Sequence, residues 1–142
     1  MRKYAVLLLV ALTFGSCHQF EDGPDFSFRT KTTRISREWV LQDVLRNELD
    51  TVTSEYHFGI SFDGDENFVL RDTSYASGSA VETVTSGVWQ FNDDDLLILL
   101  FTDGNGINSS RVWRILRLST EEFWAIEQVN NDYYEYHLVE RP

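Results

Sequence analysis

Short apolar segments separated by turn-forming residues constrain the fold of this chain more than any other feature. Residues 56–62, Tyr-His-Phe-Gly-Ile-Ser-Phe, alternate large apolar side chains with small or polar ones, which is the period of a half-buried strand. Short polar clusters separate these segments, and most of them contain Gly, Asn or Asp, which readily adopt the backbone angles of tight hairpins. They lie at residues 63–67, 77–79, 92–95, 103–106, 119–122 and 130–132. The pattern predicts an all-β domain.

The spacing of these clusters predicts eight strands joined by short connections. Such strands form an antiparallel up-and-down meander that closes as a small barrel, or alternatively flattens into a β-sandwich. Residues 37–49 also have apolar spacing compatible with a helix, but the abundance of aromatic and β-branched residues favours a strand. The predicted strands cover residues 37–46, 54–62, 67–76, 80–91, 95–102, 109–118, 122–129 and 132–140.

The N-terminus has the order of a secretory signal. Arg2 and Lys3 precede an apolar stretch over residues 4–14, and the small residues at 15–16 precede Cys17. The apolar stretch is about half of the ~20 residues that span a bilayer. Cys17 is the only cysteine, so it cannot form an internal disulfide. We therefore expect cleavage after residue 16 and a lipid on Cys17; a plain signal peptide with an incidental cysteine is the alternative.

The region after Cys17 divides into a tether and a domain. Residues 17–36 are polar and contain Gly23-Pro24, which predicts a lipidated cysteine followed by a flexible tether. Residues 37–142 contain all four tryptophans and form the predicted barrel domain. His18, rather than an acidic residue, follows Cys17, which favours the outer membrane, at its periplasmic face or at the cell surface.

The charge of the chain excludes some partners. Without residues 1–16 it carries 10 basic and 23 acidic side chains, a formal charge of −13. Such a charge argues against binding to nucleic acid and to anionic headgroups.

The sequence also gives no indication of catalysis. His57 and His137 are the only histidines in the domain, and the strand alternation places both on the outward side. Residues 63–67 look like the start of a calcium loop, but Phe68 and Ser74 stand where such a loop needs Gly and Glu. We expect no enzymatic activity, no metal site and no cofactor.

Several short aromatic motifs resemble the lipocalin-like domain of small bacterial lipoproteins. They are Arg-Glu-Trp-Val-Leu at 37–41, Gly-Val-Trp at 87–89, Trp-Arg-Ile at 113–115, Leu-Ser at 118–119 and Tyr-His-Leu at 136–138. The resemblance covers residues 37–142 and implies a small up-and-down barrel. The Gly-x-Trp motif lies on the predicted fourth strand, whereas lipocalins that carry ligands have it on the first.

An eight-stranded barrel is either filled by its own side chains or holds one small molecule. Strand alternation places Thr83, Thr85 and Gly87 on the same inward side as Trp89, which predicts unfilled space beside them, opening toward the 77–79 hairpin. The alternative is that the aromatic residues only form a core. The predicted ligand-binding residues are Tyr56, Phe58, Thr83, Thr85, Trp89, Trp113 and Tyr136.

Two functions stay open on this basis. The first is a membrane-anchored envelope lipoprotein that binds a small apolar or amphipathic ligand. The second is a structural lipoprotein with a filled barrel that docks onto a larger outer-membrane or surface assembly. Residues 96–101 are apolar on both faces, so strand 95–102 is the predicted contact with such a partner.

Overall fold

The computed structural model describes residues 29–76, 78–93 and 95–142, so the predicted signal peptide and Cys17 lie outside the described residues. The strands are β1 Glu38–Arg46, β2 Asp50–Thr51, β3 Phe58–Phe62, β4 Asn67–Ala76, β5 Ser79–Asn92, β6 Leu96–Asp103, β7 Gly106–Leu118, β8 Glu122–Val129 and β9 Asp132–Glu140. From β3 to β9 each strand pairs with the next along the chain. Strand β1 pairs with β2, β3 and β9, and its pairing with β9 closes the barrel.

This topology confirms the predicted eight-stranded antiparallel up-and-down barrel. The two-residue strand β2 is an addition that pairs only with the end of β1. The first predicted strand is confirmed as a strand rather than a helix.

The second predicted strand, residues 54–62, begins earlier in the chain than the observed strand β3. Residues 53–55 form a 3₁₀ helix, and β3 starts only at Phe58. Two hydrogen bonds hold this connection against β1: the Val44 amide donates to Thr53 Oγ1 at 3.0 Å, and the Val52 amide donates to the Val44 carbonyl at 2.9 Å. The alternation at 56–62 predicts a strand. Before residue 56, however, the backbone is hydrogen-bonded within the 3₁₀ helix and to Val44 instead of in a continuous strand ladder.

One half of the barrel interior is filled by side chains. Trp39 packs against Phe123 with a ring-centroid distance of 5.6 Å, and Phe62 meets Trp89 edge-on at 5.8 Å. Tilted and edge-to-face contacts of this kind add to the free energy gained by burying the rings. In β6 and β8 the buried residues alternate with half-buried ones, which is the period of two expected of a strand.

A short helix, α1 (Lys31–Ile35), closes the filled end of the barrel. The side chain of Thr30 caps it by accepting the Thr33 amide at 3.2 Å. Ile35 is fully buried, and its carbonyl accepts Trp39 Nε1–H at 2.9 Å. Residues 31–35 fall within the predicted flexible tether, so packed structure begins before residue 37. In residues 29–76, 78–93 and 95–142, no helix is long and apolar enough to cross a membrane.

The opposite end of the barrel is open. The β5–β6 ladder begins only at the pair Ser86 and Thr102, so residues 79–85 of β5 pair with β4 alone. Residues 79–86 are exposed, including Val81 and Val84, each about half accessible at 50% and 52%. The β4–β5 hairpin therefore projects beyond its neighbour at this end.

Candidate functional site

The structure brings together four of the seven predicted ligand-binding residues. Phe58 lies 5.5 Å from Tyr136 and 6.4 Å from Trp113, measured between ring centroids, and Tyr56 lies 6.4 Å from Tyr136. Trp113 and Tyr136 are buried, whereas Tyr56 and Phe58 are half-buried and pack against the core from its edge. These four rings form a continuous aromatic cluster on the inner face of the barrel.

The other three predicted residues lie elsewhere. Trp89 is buried in the filled half, where it contacts Phe62 and Phe91. Thr83 and Thr85 are exposed on the part of β5 that extends past β6. They do not contribute to the aromatic cluster through any contact that the structure describes.

The predicted unfilled space beside Gly87 is not present. Phe68 lies directly opposite Gly87 in the β4–β5 ladder and is buried. A Cβ atom on Gly87 would lie 2.9 Å from the Phe68 ring and 2.0 Å from the Leu100 carbonyl oxygen. The glycine thus admits a neighbouring ring and a closely approaching strand, and it does not enlarge a pocket. At Gly87 the prediction is wrong, because a large side chain on the facing strand occupies the room that Gly87 leaves. Unfilled space beside Thr83 and Thr85 stays a prediction.

A cavity of about 490 Å³ opens at a different place, where β1 and β3 separate. Its inner part is lined by Leu41, Tyr56 and Phe58, all of which pack against the core. Its outer part is lined by Val40, Gln42, His57, Gly59, Thr73 and Tyr75, together with two arginines and two glutamates. We call this the seam cavity. Its volume falls in the range of about 300–1,000 Å³ that is typical of small-molecule sites.

The rim of the seam cavity combines an exposed ring with polar groups. Tyr75 is 66% exposed and meets His57 edge-on, with ring centroids 5.1 Å apart. The His57 carbonyl accepts the Thr73 amide at 2.7 Å, which holds this segment against β4. The prediction that His57 lies on the outward side is therefore correct, and the residue is part of the rim.

Behind the aromatic cluster lies a buried ion pair that residue alternation alone does not reveal. Glu127 is 6% exposed and accepts hydrogen bonds from Arg111 Nε at 2.8 Å and from Arg111 Nη2. It also accepts Trp113 Nε1–H and the Tyr136 hydroxyl, each at 3.2 Å. A buried carboxylate with this many donors is well satisfied, and it fixes the orientation of the two rings that back Phe58.

Burial and neighbouring groups shift the pKa of Arg111, Tyr136 and Tyr56 further from neutral pH. Burial lowers the pKa of Arg111, but the hydrogen bonds to Glu127 and its charge outweigh burial and raise the pKa overall. Burial, and then the charge of Glu127, raise the pKa of the Tyr136 phenol. Burial and a hydrogen bond with Tyr134 also raise the pKa of Tyr56. The phenols therefore stay neutral while Arg111 stays charged.

The guanidinium of Arg111 adds a further contact to the rings. Its carbon lies 5.3 Å from the centroid of Trp113 and 5.9 Å from that of Tyr136, within the range of a cation–π interaction. Among the residues that the structure describes, no group of three or more His, Cys, Asp or Glu side chains is placed to hold a metal ion. The polar groups behind the aromatic cluster are thus bonded to one another.

The ion pair generates a stability prediction. Arg111→Met should lower the free energy of unfolding by about 3 kcal/mol, because it leaves a buried carboxylate without its cation. Glu127→Gln should cost less, since the Arg111 side chain is 30% exposed and can turn toward water. The double variant Arg111→Met/Glu127→Gln should recover much of the loss, because the unpaired carboxylate is then replaced by a neutral amide. Urea unfolding of the three variants measures this, and additive losses in the double variant would contradict a coupled pair.

Comparison with known proteins relates the fold to the lipocalins. No family model and no curated protein sequence matches the chain. A lipocalin-like protein from Bacteroides uniformis superposes with a TM-score of 0.57 at 8% identity, covering 76% of this chain and 99% of that one. An uncharacterized protein from Bacteroides eggerthii superposes with a TM-score of 0.53 at 12% identity, covering 75% and 99%.

The similarity extends to a protein solved with a ligand. Bovine odorant-binding protein in complex with a selenium-containing odorant superposes with a TM-score of 0.51 at 11% identity, covering 85% of this chain and 78% of that one. At such low identities the similarity concerns the fold alone. The chain therefore has a lipocalin-like fold.

Proposed function

We propose that this chain is a membrane-anchored envelope lipoprotein whose lipocalin-like barrel binds a small apolar or amphipathic ligand. The observation that carries the proposal is the seam cavity of about 490 Å³, which borders the half-buried rings of Tyr56 and Phe58. Covering partly accessible aromatic surface with an apolar ligand contributes roughly 25 cal/mol for each Å² removed from water.

The residues behind the cavity wall support a ligand-binding role rather than a catalytic one. Phe58 rests on Trp113 and Tyr136, and both of these rings are hydrogen-bonded to Glu127. A wall held in this way needs little reordering when a ligand arrives, which favours affinity. The similar fold of the odorant-binding protein, which was solved with an odorant, is consistent with this proposal.

The anchoring part of the proposal rests on the N-terminal sequence. Residues 1–16 have the order of a secretory signal, and Cys17 follows small residues as in a lipid attachment site. Several acyl chains on Cys17 would be enough for stable attachment to the outer membrane.

Ligand binding is tested with one ring of the cavity and one outside it. Tyr56→Ala should weaken binding of Nile red, palmitate or a naphthyl β-glucoside by about tenfold, because the wall loses a large apolar contact. Tyr133→Ala is the matched control, since Tyr133 lies on β9 and is 48% exposed. Tryptophan fluorescence reports binding through Trp113, whose ring lies 6.4 Å from that of Phe58. No response of the wild type to any of the three compounds would contradict ligand binding.

Lipidation is tested by metabolic labelling. A palmitate analogue should label the wild-type protein, and Cys17→Ser should remove the label and release the protein from the membrane fraction, because Cys17 is the only cysteine. An unlabelled wild type, or a variant that stays fully membrane-bound, would rule out the lipid anchor.

The docking alternative is favoured by one feature of the outer face. Leu96, Ile98 and Leu100 alternate with the buried residues of β6 and are only partly covered. Val88 and Val112, which are opposite Leu100 and Ile98 in the ladders, are 37% and 49% exposed. A protein partner at strand 95–102 stays a prediction, and it becomes the stronger one if no small molecule binds.

A further inference from the structure

Strand β1 leaves β3 after only three residue pairs. The β1–β3 ladder joins Glu38, Trp39 and Val40 to Ser61, Ile60 and Gly59 and goes no further. On its other side β1 continues along β9 as far as Arg46, with an irregularity between Leu41 and Asp43. Between Val40 and Val44, where β1 is bonded again to residues 52–53, the wall of the barrel therefore has an opening beside residues 56–58.

The seam cavity lies at this opening. Leu41, Tyr56 and Phe58 line it, and their side chains pack against the core on the inner face. Arg71 also lines it, but on the outer face, because Arg71 pairs with Gly59 and Gly59 pairs with the exposed Val40. The cavity is thus bordered by residues from both faces of the barrel wall.

Gly59 keeps the outer part of the cavity open. It has no side chain between Val40 of β1 and Arg71 of β4, with which it pairs, and a Cβ atom there would lie 3.3 Å from the Trp39 carbonyl oxygen. A larger residue would stand between Val40 and Arg71 and divide the cavity.

The outer part of the cavity carries balanced charges. Its four charged residues are Glu38, Glu82, Arg71 and Arg141, and the first and last of these form an ion pair. The chain as a whole has a formal charge of −11, so this region is locally more neutral than the rest of the surface. No excess of either sign is present to offset the desolvation of a charged ligand, and the overall charge repels anions.

We propose that the ligand lies across the barrel wall at this seam, and that it is an uncharged amphipathic molecule of the glycoside type. Its apolar end contacts Tyr56 and Phe58 on the inner face. Its polar, uncharged end lies outside, against the exposed Tyr75 ring and the polar side chains of Gln42 and Thr73. This inference rests on the proposed ligand-binding function and specifies both its route and its ligand class.

The test compares a blocked seam with a blocked open end in the full-length mature chain. Thr73→Trp places a large ring in the outer part of the cavity, and Gln42→Trp does the same from an exposed position on β1. Thr85→Trp is the matched control: it adds the same side chain on the inner face of the exposed β5 extension, away from the seam. Calorimetric titration with naphthyl β-glucoside, naphthalenesulfonate and naphthylmethylammonium gives affinity and charge preference together.

We expect the glucoside to bind the wild type most tightly of the three probes. Either seam variant should weaken it by about tenfold or more, and Thr85→Trp should leave it within about twofold. Loss of binding in Thr85→Trp but in neither seam variant would overturn the inference and leave the proposed function standing. Equal or tighter binding of either ionic probe would overturn the ligand class. A wild type that binds none of the three naphthyl probes but responds to Nile red or palmitate would overturn the inference and leave the proposed function standing. No response to any of these compounds would remove both proposals.

Discussion

Closure of the barrel depends on β1, which has to pair with β3 on one side and β9 on the other. It pairs with both only at Trp39 and Val40. Beyond that point it stays paired with β9, and from Val44 onward it is bonded again to the residues before β3, through residues 52–53 and its pairs with β2. The irregularity between Leu41 and Asp43 bends the strand, as an extra residue in a ladder does. Continuous ladders close the filled half of the barrel. The seam cavity lies where β1 is paired with β9 but not with β3.

The two halves differ in how their interiors are occupied. In the filled half, Ile35 from α1 and the ring of Trp39 close the end, and Phe68 packs over Gly87. Toward the open half, Glu127 and Arg111 take the place of apolar side chains. A buried ion pair is costly unless its lone pairs and protons are satisfied, and the donors from Trp113 and Tyr136 meet that requirement. The half-buried rings of Tyr56 and Phe58 lie at the boundary between the two halves.

The strands and much of the core follow from residue alternation, which is a local property of the sequence. Alternation correctly places Trp89, Trp113 and Tyr136 inside, because each lies in a strand with a regular period of two. Two positions before Trp113 the same period places Arg111 on the inner side. A charged residue is not expected there unless its partner Glu127 on β8 is known. Alternation also cannot show that Phe68 fills the room beside Gly87, since this depends on the register between two strands.

The seam cavity could not be predicted from the sequence for a similar reason. The lengths of the β1–β3 and β1–β9 ladders are set by how the whole sheet closes and not by either strand alone. The 3₁₀ helix at Thr53–Glu55 and the helix α1 are also short elements fixed by contacts with distant residues. What the sequence does indicate is that Tyr56 and Phe58 face inward, and both line the cavity that the structure reveals.

Amide hydrogen exchange measured by NMR tests most directly whether the wall is open at the seam. The amides of Leu97 and Leu99, on a strand paired on both sides, should exchange at the rate of global unfolding. Segments 41–43 and 56–58 border the opening and should include amides that exchange at least about a hundredfold faster through local opening. Protection throughout these two segments equal to that of Leu97 and Leu99 would show that the β1–β3 ladder continues in solution, and would contradict an opening in the barrel wall.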